Sequence, residues 1–119
     1  MRSVVLDCPD PRALAEFYRE LTGWQITYAD DDWINLEGNG SVQLSFQRAA
    51  DHRPPLWPDP EHPQQFHLDL SVDDAEAAER QVLALGATKH EYQPGHQPEG
   101  NWRVYVDPAG HPFCLCSED

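Results

Sequence analysis

The chain has 119 residues, a formal net charge of −13 and a hydrophobic fraction of 39%. This length fits one domain with a packed core, and the excess of acidic residues disfavours binding to nucleic acid or to anionic lipid. No stretch approaches the roughly 20 apolar residues that cross a membrane, and the N-terminal apolar run is too short for a signal peptide.

The first half of the chain reads as a strand, a helix and three further strands. Residues 3–8 are short, apolar and β-branched, which is typical of a strand. A helix is predicted over 9–23, with Asp10 as its cap, Pro11 in the first turn and Gly23 at its end. Its apolar positions recur with helical spacing: Leu14, Phe17, Tyr18 and Leu21. Three strands are then predicted over 24–28, 33–37 and 42–47, with a turn at 38–40.

The second half repeats this order. We predict a strand over 66–72 and a helix over 73–86, with Asp73 as its cap and Gly86 at its end. Further strands are predicted over 88–93, 102–106 and 113–117, with a turn at 107–110. Each half therefore reads as a βαβββ unit.

The two halves can be set against each other by a shift of 64 positions, which places Ser3 on His67 and Asp10 on Asp74. Later in the unit Trp33 falls on Trp102, and we align Gln43 with Cys114. Self-similarity of this kind indicates a duplicated architecture. We therefore predict a single domain, 1–119, with unit one at 2–48, a linker at 49–65 and unit two at 66–117.

The linker is rich in proline, which keeps a chain extended and stiff. Trp57 lies in its middle. This pattern fits a surface segment anchored by one tryptophan, or a lid whose Trp57 covers a pocket.

Paired βαβββ units of this length, with "VVLDCPDPRALAEFYRELTGW" in front and "DPAGHPFCL" at the end, resemble the vicinal oxygen chelate superfamily. The resemblance covers residues 2 to 117, and it is strongest to small bacterial glyoxalase-like proteins. It implies an α+β glyoxalase-like fold, in which two tandem βαβββ units form curved mixed sheets around a cavity. The units would pair within one chain or be exchanged between two chains.

In metal-using members of this superfamily, the first and last strands of each unit give one ligand each. The resemblance places these positions at Ser3, Gln43, His67 and Cys114. Only His67 keeps the residue type that is usual at these positions. The serine hydroxyl of Ser3 and the neutral amide of Gln43 hold a hard divalent ion poorly. We therefore expect no metal and no cofactor. The alternative is a divalent metal such as zinc, nickel or manganese, for which His67 and a Cys114 thiolate are suitable donors.

His67 has two interpretations. It is either a half-buried imidazole that is hydrogen-bonded to Gln43 or Ser3, or a ligand-contacting group and general base. Side chains two residues apart share one face of a strand, so His67 and Asp69 lie on the face away from the helix. Such mixed polar rows beside tryptophans are typical of small-molecule sites. The candidate ligand-binding residues are Ser3, Val5, Asp7, Trp33, Gln43, Ser45, Trp57, His67, Asp69, Trp102, Arg103 and Cys114.

The three cysteines, Cys8, Cys114 and Cys116, do not form the even set typical of a disulfide framework. We expect a reduced, cytoplasmic protein in which Cys114 and Cys116 are packing residues. A nucleophilic pair of Cys114 with His67 is disfavoured.

The sequence thus favours metal-independent binding of a small, flat or aromatic molecule in the sheet cavity, for sequestration or resistance. The alternative is a glyoxalase-type lyase or isomerase that uses a divalent metal or His67 as general base. A protein whose main role is association with another protein is disfavoured, because no exposed apolar run lies outside the strands and the linker. Open sheet edges predict a homodimer.

Overall fold

The computed structural model describes residues 1–95 and 100–117. The chain divides into two compact units, Met1–Arg53 and Pro54–Asp119, which are described separately. Each unit contains a helix and a four-stranded mixed sheet, so the predicted α+β fold of two βαβββ units is confirmed. No helix in the described part of the chain combines the length and apolar character needed to cross a bilayer.

Unit 1 has the strand order β1-β4-β3-β2, with β1 parallel to β4 and the other pairs antiparallel. Helix α1 packs on β3 and β4. The elements of unit 1 are β1 (Ser3–Cys8), α1 (Pro11–Thr22), β2 (Gln25–Ala29), β3 (Trp33–Glu37) and β4 (Gln43–Arg48).

The ends of α1 follow the sequence signals. The carboxylate of Asp10 accepts a hydrogen bond from the Ala13 N–H at 3.2 Å, which satisfies one of the free donors of the first turn. Gly23 has φ of 74° and closes the helix in the left-handed conformation that glycine adopts without strain. Between these ends, Tyr18 is fully buried and stacks on Phe46 of β4, with ring centroids 5.8 Å apart. This stacking joins helix and sheet in the core of unit 1.

Unit 2 has the equivalent strand order, β5-β8-β7-β6, with β5 parallel to β8. Helix α2 packs on β8, and Tyr105 stacks on Phe113 in the core. The elements of unit 2 are β5 (Leu68–Val72), α2 (Ala75–Ala84), β6 (Thr88–Lys89), β7 (Trp102–Val106) and β8 (Pro112–Ser117).

Two predicted boundaries in unit 2 are wrong. Asp74 caps α2 in place of Asp73, because its carboxylate accepts hydrogen bonds from the N–H groups of Glu76 and Ala77. The strand predicted from residue 66 begins at Leu68, so His67 precedes β5.

The strand predicted over 88–93 is also shorter than expected, since β6 ends at Lys89. The side-chain amide of Gln93 explains the early end. It donates to the Val104 carbonyl at 2.8 Å and accepts from the Val104 N–H at 2.9 Å. The Gln93 side chain thereby occupies the Val104 N–H, through which β7 would pair with a longer β6, while the Val104 carbonyl also accepts from the His90 N–H at 3.1 Å.

The alignment of Gln43 with Cys114 is wrong by two residues. In unit 1, Ser45 pairs with Val5 and with Asn35, and in unit 2 Cys114 pairs with Asp69 and with Val104. When Ser3 is aligned with His67, the β1–β4 and β5–β8 ladders align Ser45 with Cys114. When Trp33 is aligned with Trp102, the β3–β4 and β7–β8 ladders give the same alignment. The β3–β4 and β7–β8 loops cover 38–42 and 107–111, so their lengths are equal, whereas the alignment of Gln43 with Cys114 requires a longer second loop.

Candidate functional site

A cavity of about 340 Å³ opens on unit 2. Its lining residues come from the proline-rich segment, from the start of β5 and from β7 and β8. They are Trp57, Gln64, His67, Asp69, Asn101, Trp102, Val104, Pro112, Cys114 and Cys116. Five of the predicted ligand-binding positions in unit 2 thus line one cavity: Trp57, His67, Asp69, Trp102 and Cys114.

Strand alternation explains which side chains reach this cavity. On β8, Phe113 packs against Tyr105, whereas the next residue, Cys114, points to the cavity. On β7 the same alternation directs Trp102 and Val104 to the cavity. The sheet therefore has one face in the core with α2 and one face that forms the floor of the cavity.

Two tryptophans give the cavity its aromatic walls. Trp102 begins β7 and packs directly on Gly95, where an added Cβ would lie 2.5 Å from the indole ring. Trp57 is held by His90, whose Nε2 lies 2.7 Å from the Trp57 carbonyl oxygen. The Trp57 ring also contacts the rings of His90 and Tyr92, with centroids 5.2 and 5.3 Å away. Both indoles therefore have a defined position.

His67 and Asp69 form a close pair at the cavity. The Nε2 of His67 lies 3.2 Å from Oδ1 of Asp69, and the two side chains are 38% and 62% exposed. This contact gives His67 a partner inside unit 2. A carboxylate at this distance can orient an imidazole ring, as in an acid–base pair.

Cys114 is a poor nucleophile in this setting. Its side chain is buried at the cavity floor, and burial, followed by the charge of Asp69, raises the pKa of Cys114 to about 12. Burial also raises the pKa of Cys116, again with a contribution from Asp69. Nucleophilic cysteines have thiolates stabilised by nearby positive charge, so the environment of Cys114 agrees with the expectation of a packing role.

Arg103, a predicted ligand-binding residue, does not line this cavity. Arg103 alternates with Trp102 on β7 and therefore lies on the helix side of the sheet. Its guanidinium is 2.6 Å from Glu76 and 3.4 Å from Glu79, both on α2. The hydrogen bond that Arg103 donates to Glu76 is the largest cause that raises the pKa of Arg103. No lysine or arginine occurs among the described residues that line the cavity.

The candidate residues of unit 1 form a separate polar network on β1, β3 and β4. Ser45 is fully buried, and its hydroxyl lies 3.0 Å from the Ser3 hydroxyl and donates to Oδ1 of Asn35 at 2.8 Å. Trp33 donates its indole N–H to the same oxygen, and Gln43 donates to Ser45 at 3.4 Å. The network links neutral groups only. Two further candidates lie on β1: Val5 is half-buried opposite Ser45, and Asp7 is exposed opposite Gln47.

The metal set that the resemblance implies does not fit these residues. Ser3 and Gln43 are neutral and are hydrogen-bonded to Ser45, so they offer no charge to a divalent ion. In unit 2, donor atoms of His67, Asp69 and Cys114 do lie within 4.8 Å of one another. This group has three members. It lacks the four strong donors of a structural zinc site.

The sequence interpretation missed Gln64 and Asn101, which also line the cavity. Both lie outside the regular elements, where no periodicity shows the direction of a side chain. Gln64 is notable because its Oε1 is buried without a hydrogen-bond partner in the described part of the chain.

Residues 3–116 match the glyoxalase-like domain family. No curated protein sequence matches the chain. Among solved structures, a glyoxalase/bleomycin resistance protein/dioxygenase family enzyme from Burkholderia phytofirmans PsJN is similar with a TM-score of 0.74 and 17% identity. The alignment covers 97% of this chain and 95% of that one.

Two other solved structures are similar over nearly the whole chain. A glyoxalase-related enzyme from Fulvimarina pelagi has a TM-score of 0.73 and 18% identity, with 99% of this chain and 87% of that chain covered. The bleomycin resistance determinant encoded on the transposon Tn5 has a TM-score of 0.63 and 25% identity, with 100% and 98% covered.

Proposed function

This chain belongs to the glyoxalase-like domain family of the vicinal oxygen chelate superfamily, and from that premise we propose that it binds a small, flat or aromatic molecule in the unit 2 cavity without a metal. The role would be sequestration or resistance. The observation that carries the proposal is the pair of indoles, Trp57 and Trp102, in the wall of one cavity with few polar groups. Apolar, aromatic walls with a small number of placed polar atoms are typical of small-ligand sites.

Size and chemistry support the same proposal. A volume of about 340 Å³ lies within the range of roughly 300–1,000 Å³ that small-molecule sites occupy. Indole faces stack on flat rings and also attract cations. The similarity to the Tn5 bleomycin resistance determinant, whose name describes resistance, supports a binding role of this type.

The test is a titration with N-methylacridinium, a flat aromatic cation, followed by quenching of tryptophan fluorescence. We expect one dye per chain. Trp57→Leu and Trp102→Leu should each weaken binding by about tenfold, because each removes a stacking face. Trp24→Leu is the matched control, since Trp24 is half-buried in unit 1 and does not line the cavity. Equal affinity of all four proteins would contradict the proposal.

The binding of the same dye also tests whether the protein needs a metal. The proposal expects the same affinity before and after dialysis against a chelator, because the neutral groups at Ser3 and Gln43 add nothing to ion binding. Loss of binding on chelation, with recovery on addition of zinc, nickel or manganese, would show that binding requires an ion and would contradict the proposal.

A second candidate function is favoured by the contact between His67 and Asp69. In a glyoxalase-type lyase or isomerase, His67 would act as general base with Asp69 orienting its ring. A turnover found in a substrate screen and abolished in His67→Gln would support this function over binding alone. Retention of that turnover in His67→Gln would exclude His67 as the base.

We also propose a cytoplasmic homodimer. The three cysteines that the structure describes are free thiols, as is usual in a reducing compartment. The edge strands are β1 and β2 in the sheet of unit 1 and β5 and β6 in the sheet of unit 2, and pairing with a second chain is one way to cover sheet edges. Size-exclusion chromatography with light scattering checks this, and a single species of 13.6 kDa at all concentrations would refute it.

A further inference from the structure

The wall of the unit 2 cavity contains an acceptor without a donor. The Oε1 of Gln64 is buried and has no hydrogen-bond partner in residues 1–95 and 100–117, and Gln64 lines the cavity. A buried acceptor that is left unpaired costs free energy, so proteins rarely keep one without a use. A donor that arrives with a bound molecule would satisfy it.

A second acceptor lies in the same cavity. The carboxylate of Asp69 is exposed, with the His67 imidazole 3.2 Å away, and it contacts the buried thiol of Cys114. Lysine and arginine do not occur among the described lining residues, and Arg103 is engaged by Glu76 and Glu79 on the other face of the sheet. The cavity therefore offers negative charge and hydrogen-bond acceptors to a ligand.

We infer that the ligand class is a flat cation that carries N–H donors, such as an amidinium or a protonated amino-heterocycle, and that Gln64 selects for the donor. The inference rests on the proposed function and adds the chemistry of the ligand to it. The ring lies against Trp57 and Trp102, where cation–π attraction supplements stacking. One N–H donates to Gln64 Oε1, and the positive charge faces Asp69.

The net charge of the chain favours the same ligand class. With 21 acidic and 8 basic residues, the protein attracts cations and repels anions at a distance. An anionic aromatic molecule would meet both this field and the Asp69 carboxylate. Gln64 would select among cations in a different way, because it distinguishes ligands by a hydrogen-bond donor and not by charge.

The experiment compares two flat cations of similar outline. Proflavine carries amino donors on its protonated ring, whereas N-methylacridinium has the charge and lacks N–H donors. We expect wild-type protein to bind proflavine about tenfold more tightly, as one buried hydrogen bond allows. Gln64→Leu should remove this preference, so that the affinities for the two dyes become equal within roughly twofold. Asp69→Asn should weaken both dyes.

The neighbouring residue supplies a matched control. Gln65 is exposed and does not line the cavity, so Gln65→Leu should keep the preference for proflavine. A measurement without ligand gives an independent check. Gln64→Leu should raise the melting temperature of the free protein, because it removes an unpaired buried acceptor. A lower melting temperature would mean that Gln64 supports the fold, and it would contradict the inference.

The possible outcomes separate the two proposals. If N-methylacridinium binds and proflavine binds no more tightly, the selection for a donor is wrong while binding in the cavity stands. If the preference for proflavine survives in Gln64→Leu, the role of Gln64 in selecting the donor is wrong. If neither dye binds, both proposals fail.

Discussion

Asp69 lies directly opposite Cys114 in the parallel ladder between β5 and β8, and both side chains line the cavity of unit 2. The carboxylate contributes, after burial, to a pKa of about 12 for the thiol. We predict that Asp69→Asn lowers the pKa of Cys114, since a nearby negative charge disfavours the thiolate. The alkylation rate of Cys114 by iodoacetamide should rise about threefold to tenfold, because the thiolate is the reacting form.

Mass spectrometry of the peptides separates Cys114 from Cys8 and Cys116 during this reaction. Asp73→Asn is the control, since Asp73 is exposed and lies outside the cavity lining, and it should not change the rate. If wild-type Cys114 reacted as fast as the thiol of the unfolded chain, the description of its environment would be wrong.

Gly95 and Trp102 provide the second prediction. A methyl group at residue 95 would lie 2.5 Å from the indole and 2.7 Å from the carbonyl oxygen of Trp102, closer than atoms pack. Gly95→Ala should therefore displace Trp102, lower the free energy of unfolding by about 1–3 kcal/mol and weaken the binding of N-methylacridinium. Urea unfolding and dye titration measure the two effects.

Gly40→Ala serves as the comparison for this substitution. A Cβ at Gly40 would meet no atom within 4 Å, and Gly40 lies in a turn of unit 1, so we expect neither property to change. Unchanged dye affinity in Gly95→Ala would indicate that the position of Trp102 does not limit binding.

His90 provides the third prediction, through its two ring nitrogens. Nδ1 accepts a hydrogen bond from the Tyr92 N–H at 3.0 Å, which leaves the proton on Nε2 for donation to the Trp57 carbonyl at 2.7 Å. His90→Gln can retain a donor near the Nε2 position, whereas His90→Asn retains an acceptor near Nδ1 and is too short to reach Trp57. Dye affinity should stay within about threefold in the first variant and fall about tenfold in the second.

Nuclear magnetic resonance of the imidazole nitrogens tests the same arrangement without a ligand. A proton on Nδ1 of His90 at neutral pH would contradict it. Equal dye affinities of the Gln and Asn variants would show that the Trp57 carbonyl contact does not position the indole.

Much of the fold follows from local signals in the sequence. Asp10, Pro11 and Gly23 mark the ends of α1 because each has a backbone role that few other residues fill. The cap of α2 was harder to predict, because Asp73 and Asp74 are adjacent carboxylates of equal capping strength. Of these two residues, Asp74 accepts the hydrogen bonds from the first turn of α2. A sequence pattern does not locate the end of a helix to within one residue.

Strand alternation predicted the orientation of those candidate residues that lie in or next to a strand. Alternation placed His67 and Asp69 on the side away from the helix, and both line the cavity. The same rule applied to β7 places Arg103 on the face opposite Trp102, where it pairs with Glu76 and Glu79. No such rule applies to Gln64, because it lies outside the helices and strands. In such a segment tertiary contacts alone decide the direction of a side chain.

The fourth prediction concerns Glu79, which joins α2 to the sheet of unit 2. Its side chain is only 19% exposed and has three partners on β6 and β7: Lys89 Nζ at 2.9 Å, the Tyr105 hydroxyl at 2.7 Å and the Arg103 guanidinium at 3.4 Å. The hydrogen bond from Lys89 is the largest cause that lowers the pKa of Glu79. Glu79→Gln should cost about 1–2 kcal/mol of unfolding free energy at neutral pH.

The depressed pKa fixes the pH dependence of this effect. A carboxylate with a lowered pKa in the folded state stabilises the fold above the ordinary glutamate value of about 4.3, and the contribution is lost as the pH falls through the lower folded value. The difference between wild type and Glu79→Gln in urea unfolding should therefore be largest at neutral pH and shrink in acid. Glu20→Gln, which removes an exposed pair with Arg19, should change stability by less than about 0.5 kcal/mol. A difference for Glu79→Gln that persists unchanged into strong acid would mean that packing of the side chain, and not its charge, holds α2 to the sheet.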